Sequence, residues 1–129
     1  MASIATALDD LLNNRELSIG QAVGRHFTED YRQRTDGVWS DRPGFIEHME
    51  YLRAAVESAE IRVLDEFEQD GSYADRHEAH IVKTDGATVV QEVYLFATLA
   101  DDGRFAEVHE LTHMLTGAEE DRDIGRARA

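Results

Sequence analysis

From Ser58 to Leu115 the chain alternates long stretches rich in Val, Ile, Leu, Tyr and Phe with Asp-Gly pairs: Asp70-Gly71, Asp85-Gly86 and Asp101-Asp102-Gly103. Asp-Gly tolerates the positive φ of a tight hairpin turn, so this spacing predicts four long antiparallel strands joined in a meander. Ahead of them the apolar period becomes helical. Ser3 is placed to cap a first helix in which Ile4, Leu8, Leu11 and Leu12 recur until Asn13-Asn14. A second short helix follows Ser18, with Ile19, Val23 and Phe27 inward. Tyr31 to Thr35 reads as a short strand and Asp36-Gly37 as a turn. Ser40 or Asp41 then caps a third helix with Pro43 in its first turn and Phe45, Met49, Leu52 and Val56 on its inner face. Helices followed by a long meander predict an α+β domain, its curved sheet closing over the helices and leaving a pocket between them.

At 129 residues the chain is the size of one domain. The reading places that domain at 1–116 and takes 117–129, charged and nearly free of apolar residues, as a mobile tail. With no cysteine there is no disulfide or thiolate metal site. The 13 basic and 27 acidic residues give a net charge of −14. Nucleic acid and anionic membrane surfaces both need a basic footprint, so neither is an expected partner. The N-terminal stretch lacks a basic leader and no apolar run approaches a membrane span, which together lead to the expectation of a soluble cytoplasmic protein.

His109-Glu110-Leu111-Thr112-His113 matches the zinc-protease pattern H-E-x-x-H. That chemistry needs a helix, where positions i and i+4 sit about 6 Å apart on one face. On a strand the two histidines are roughly 13 Å apart and the glutamate points the other way. The extended form of the pattern fails, because Thr116 stands at its glycine and Glu119 at its third histidine. A small zinc metalloprotease is thus the least favoured reading, and no metal ligand is assigned.

The stretch Tyr31-Arg-Gln33-Arg34-Thr35-Asp36-Gly37-Val-Trp39-Ser-Asp41-Arg42-Pro-Gly44-Phe45-Ile46 resembles a segment of the SnoaL-like families in the nuclear transport factor 2-like superfamily. There a Tyr-x-Gln-His-Asn-Pro type of pattern leads from a short strand into the third helix; Arg34-Thr35 stands here at its His-Asn. Val93-Tyr94-Leu95-Phe96, Gly103-Arg104 and Glu107-Val108-His109-Glu110 are similar to that family's closing hairpin. The resemblance implies a cone-shaped, cystatin-like α+β fold, a dimer formed through the outer sheet face, and a pocket between sheet and helices. Its relatives include ketosteroid isomerases, scytalone dehydratases, polyketide cyclases and epoxide hydrolases, with many members of no known reaction.

Two-residue turns at Asp70-Gly71 and Asp85-Gly86 put Leu64, His77, Glu92 and Tyr94 on one sheet face. A third turn of Asp101, Asp102 and Gly103 adds Phe96, Val108, Glu110 and Thr112, the last three being the positions the family turns toward its pocket. That set supports proton transfer, with Glu110 or His77 as base, burial raising the glutamate, and Tyr94 as hydrogen-bond donor. Tyr31 and Trp39 are placed at the rim, with Phe45 and Met49 on the helix wall. A different third-turn parity would instead present Asp65, Arg76, Glu78, His80 and Gln91, a set suited to an anion. His109 and His113 lie opposite in either case, and His26 and His48 are expected on helix surfaces. Val63, Val93, Leu95 and Leu111 are expected on the outer, dimer-forming face. No Gly-rich phosphate loop or nucleophile elbow is present, so no cofactor is expected. The expected function is a pocket for a small, partly apolar organic ligand, serving a cofactor-free isomerase, dehydratase, cyclase or hydrolase; the alternative is a non-catalytic dimeric ligand- or partner-binding module.

Overall fold

A computed structural model describes residues 2–127. Three helices pack on a curved, open sheet of six strands in the order β2-β1-β6-β5-β4-β3. Helix α1 (Ile4–Leu12) starts at Ser3, whose hydroxyl accepts from Thr6 N at 3.2 Å. It ends at Asn13, whose side chain donates to Ala59 O and accepts from Ala59 N, tying the helix to the sheet. Helix α2 (Ile19–His26) opens with a reciprocal capping box between Ser18 and Gln21. Phe27 then turns extended and begins β1 (Phe27–Thr35), four residues earlier than the sequence pattern placed it. A register shift between Phe27 and Arg32 blurs the alternation there, which hides the start of the strand. The Asp36-Gly37 turn, both residues at positive φ, returns the chain through a short edge strand the pattern did not mark, β2 (Val38–Asp41). Asp41 caps helix α3 (Arg42–Ala55) by accepting from Gly44 N at 3.0 Å.

The meander follows as β3 (Val56–Gln69), β4 (Ser72–Lys83), β5 (Thr88–Leu99) and β6 (Phe105–Thr116). All pairs are antiparallel except β1 with β6. H-E-x-x-H lies within β6, so its two histidines share the outer face and Glu110 the inner one. Among the described residues no helix is long and apolar enough to cross a membrane.

Turn geometry sets which residues face inward. Asp70-Gly71 is a two-residue turn with both φ positive, pairing Gln69 with Ser72. At the next corner Lys83 N donates to Ala87 O, so the loop is Thr84-Asp85-Gly86 and only Gly86 has positive φ. The extra residue pairs His77 with Val93 rather than Tyr94. The third corner has the same form over Asp101-Asp102-Gly103, and a bulge at Ala106 adds a second one-residue slip. The two slips cancel for β6, which keeps Val108, Glu110 and Thr112 inward with His77. They leave β5 inverted relative to expectation: Gln91, Val93, Leu95 and Ala97 face in, while Glu92, Tyr94 and Phe96 face out. A further bulge at Leu64 turns that side chain outward, 45% exposed.

Candidate functional site

Between α1, α3 and the inner face of β3–β6 lies a cavity of about 90 Å³. Leu8 and Leu12 from α1, Met49 and Leu52 from α3, and Ile61, Ala79, Ile81 and Val93 from the sheet form apolar walls around His77, Gln91, Glu110 and Thr112. Such a lining, mostly apolar with a few polar groups, is the usual composition of a small-molecule site.

His77 is held from behind. Its Nδ1 lies 3.0 Å from Asp75 Oδ1, and both side chains are almost completely buried. A carboxylate accepts, so Nδ1 carries a proton, and in the neutral ring Nε2 then keeps its lone pair; no group among the described residues bonds it. Tyr73 supports the dyad, its hydroxyl donating toward Asp75 Oδ2 at 3.3 Å and contacting Glu66. Burial and the neighbouring acidic groups raise the Tyr73 phenol well above its ordinary value.

Glu110 receives a line of buried groups along β1. Tyr31 Oη donates to Gln33 Oε1 at 2.7 Å, Gln33 Nε2 to Thr35 Oγ1 at 3.1 Å, and Thr35 Oγ1 to Glu110 Oε1 at 2.9 Å. Burial pushes the Glu110 carboxyl above its ordinary value, and nearby Asp36 and Asp75 act in the same direction. The Thr35 bond and His77 oppose this without reversing it. Beside it, Asp36 accepts from both Thr112 N at 2.8 Å and Thr112 Oγ1 at 2.5 Å, bracing the hairpin turn against β6.

The final segment closes the cavity. Residues 117–129 were read as a tail outside the domain, and 128–129 of it lie outside the described residues. The rest folds back: Lys83 Nζ pairs with Asp121 Oδ1 at 2.9 Å, Ile124 is 5% exposed, and Gly125 lines the cavity. A β-carbon on Gly125 would come within 3.3 Å of Thr112 Cγ2, so glycine permits this close approach. His48 Nδ1 contacts Ala127 O. His48, expected on a helix surface, is therefore buried and lines the cavity. A lone isoleucine amid charged residues was the one sequence sign that this segment packs.

Of the residues singled out from sequence, His77, Glu110, Met49 and Thr112 meet at the cavity. Val108 is buried on the same face away from the lining, and Tyr31 and Phe45 pack with Phe27 in the core, with ring centroids 4.7–5.0 Å apart. Tyr94, Phe96 and Trp39 lie on the outer face, 46%, 68% and 47% exposed, with Glu92 beside them. Tyr94 and Glu110 are thus on opposite sides, for the register reasons above. Of the alternative set only Gln91 points inward; Asp65, Arg76, Glu78 and His80 face out. Val93 and Leu95, expected on the dimer face, are core residues. Sequence reasoning passed over Asp75, which shares His77's face two residues away.

The outer side carries exposed apolar side chains, among them Phe67 and Phe96. Phe67, Ala74, Phe96 and His109 align across four strands, continued by Arg34 and Trp39. Trp39 packs edge-on to His109 at 5.3 Å and under Arg32 at 4.7 Å.

No family model matches the chain. It is 34% identical over 98 residues to an uncharacterized protein of Schizosaccharomyces pombe, covering 76% of this chain and 75% of that one. Among solved structures it is similar to a candidate polyketide cyclase from Streptomyces antibioticus, with 13% identity, a TM-score of 0.68 and coverage of 95% and 94%. It is also similar to a candidate SnoaL-like isomerase from Agrobacterium tumefaciens, at 17% identity, TM-score 0.60 and coverage of 85% and 94%. A third, a protein of ketosteroid isomerase-like fold from Catenulispora acidiphila, was solved with trimethylamine; there the identity is 10%, the TM-score 0.67 and the coverage 92% and 89%.

Proposed function

The chain belongs to the same family as the Schizosaccharomyces pombe protein and, by fold, to the SnoaL-like branch of the nuclear transport factor 2-like superfamily, and on that premise we propose that it binds a small organic molecule and moves a proton on it without a cofactor. The observation that carries this reading is the buried Asp75–His77 pair, which leaves His77 Nε2 as a lone-pair acceptor in the same cavity as a carboxyl raised by burial. His77 Nε2 takes a proton from the carbon beside a substrate carbonyl. The C–H electron pair becomes the C=C of an enol, and the carbonyl oxygen takes a proton from Glu110. Asp75 stabilises the resulting imidazolium, as a carboxylate does behind any catalytic histidine. Return of the proton from His77 to the same or a neighbouring carbon, with the enol O–H proton going back to Glu110, completes an exchange or an isomerisation. The apolar walls, closed by Ile124, exclude water from the intermediate. The bound trimethylamine of one structural neighbour supports a small-molecule pocket of this kind.

Hydroxyacetone is a small enolisable probe for this chemistry. In D2O the protein is expected to accelerate loss of its α-proton NMR signals, and His77→Asn to remove about 10²–10⁴-fold of that acceleration. Exchange no faster than in buffer, or unchanged in His77→Asn, contradicts the catalytic reading and leaves a binding module. The exposed Phe67, Phe96 and Leu111 side chains support a second element of the reading, pairing of two copies through the outer face. Sedimentation as a monomer at micromolar concentration would remove that element.

A further inference from the structure

The cavity's polar groups differ in what they leave for a ligand. The Thr112 hydroxyl is used by Asp36, the Thr35 hydroxyl by Glu110, and the His77 Nδ1 proton by Asp75. Beside the Glu110 acid, what remains are acceptors, and Gln91 supplies the unexpected one. It is 3% exposed and its Oε1 has no hydrogen-bond partner among the described residues. Its amide orientation is fixed, because Nε2 lies 3.4 Å from both Asp121 O and Arg122 O. Turning the amide over would set Oε1 against those two carbonyl oxygens. The C-terminal segment therefore holds Gln91 with its acceptor unpaired. Buried side-chain acceptors without a donor are uncommon and call for an explanation.

We propose that Gln91 is the specificity-determining residue of this cavity, and that it accepts a hydrogen bond from a hydroxyl group on a compact, neutral organic ligand. The proposal rests on reading this cavity as the ligand site. A carboxylate or phosphate is disfavoured, since its lone pairs would meet those of His77 Nε2 and Gln91 Oε1, and no lysine or arginine among the described residues lines the cavity. Size narrows the class further. A cavity of about 150 Å³ takes benzene, so about 90 Å³ suits a molecule of roughly four to five non-hydrogen atoms. A ligand lacking the hydroxyl leaves the Gln91 acceptor unpaired, the situation in which a binding site discriminates most sharply.

Hydroxyacetone and butanone share one shape and differ by hydroxyl against methyl, so titrating each into methyl-labelled protein isolates the Gln91 bond. Pyruvate and n-butylamine serve as anionic and cationic controls. Hydroxyacetone is expected to bind roughly tenfold more tightly than butanone, shifting the methyls of Met49, Val93 and Ile124, with pyruvate causing no such shifts. Gln91→Leu, with Gln91→Met as a second variant in case the first fails to fold, is expected to abolish or reverse the preference while butanone still binds. Equal binding of the two ketones in the wild type, a preference that survives both variants, or tighter binding of pyruvate or butylamine would each overturn the role of Gln91. Probes that shift only methyls outside the cavity would overturn the cavity reading itself, which separates the two failures.

Discussion

The two faces of strands β3 to β6 are made by alternate residues of the same segments, yet they treat the same side chain in opposite ways. On the outer face Glu60 accepts from Arg62 Nε at 2.5 Å in full solvent, and that bond draws its carboxyl below the ordinary value. On the inner face Glu110 accepts from the Thr35 hydroxyl, and burial pushes its carboxyl up. Ion pairs such as Arg76–Asp65 at 2.8 Å, exposed on the outside, are screened by solvent and contribute little to stability. The inner Asp75–His77 pair has no water to replace either partner, so it fixes a tautomer. A residue's chemistry here follows from its face, and its face follows from register.

The sharpest break of that comparison is between neighbours. Leu95→Ala, at 2% exposure, is expected to lower unfolding free energy by about 2–5 kcal/mol in urea melts. Phe96→Ala, at 68% exposure, is expected to stay within about 0.5 kcal/mol of the wild type at monomer concentrations. Ile124→Ala is expected to cost about 2 kcal/mol or more, since the side chain is packed against the core. A change as small as that of Phe96→Ala would restore the tail to a loose appendage.

Glu110→Gln sharpens the comparison through pH. A carboxyl whose folded value lies above its unfolded one loses stability as pH rises from the unfolded value, about 4.5, through the raised folded value. The wild type therefore carries this cost at pH 8 and is free of it below the unfolded value. Glu110→Gln is expected to melt higher than the wild type at pH 8, with the advantage disappearing in acid. An advantage equal at both ends would mean that burial of charge is not its source. Tyr94→Phe has the smallest expected effect, within about 0.5 kcal/mol in stability and none on probe binding. A loss of binding would move the site to the outer face.

The helices and the meander were legible in the sequence because they rest on local rules: Ser3, Ser18 and Asp41 as caps, and Asp-Gly at the corners. Register was not, because it depends on single extra residues. Thr84 enters the second corner and Ala106 bulges from β6, and neither differs in type from its neighbours. The two slips cancel so that His77 and Glu110 face inward as expected, while Tyr94 faces outward. Asp75 was hidden for another reason. An aspartate in a strand reads as solvent-facing until its histidine and tyrosine partners are seen around it. Gln91 gains its meaning from the Asp121 and Arg122 carbonyls, across a chain reversal that no periodicity marks.

Mapping a bound probe tests most directly whether the inner face is the functional one. With hydroxyacetone titrated into methyl-labelled protein, saturable shifts are expected at Met49, Val93 and Ile124, absent or strongly weakened in His77→Asn, while Leu64, Leu111 and Leu115 on the outer face stay unmoved. Saturable shifts confined to the outer-face leucines, and unchanged in His77→Asn, would contradict it.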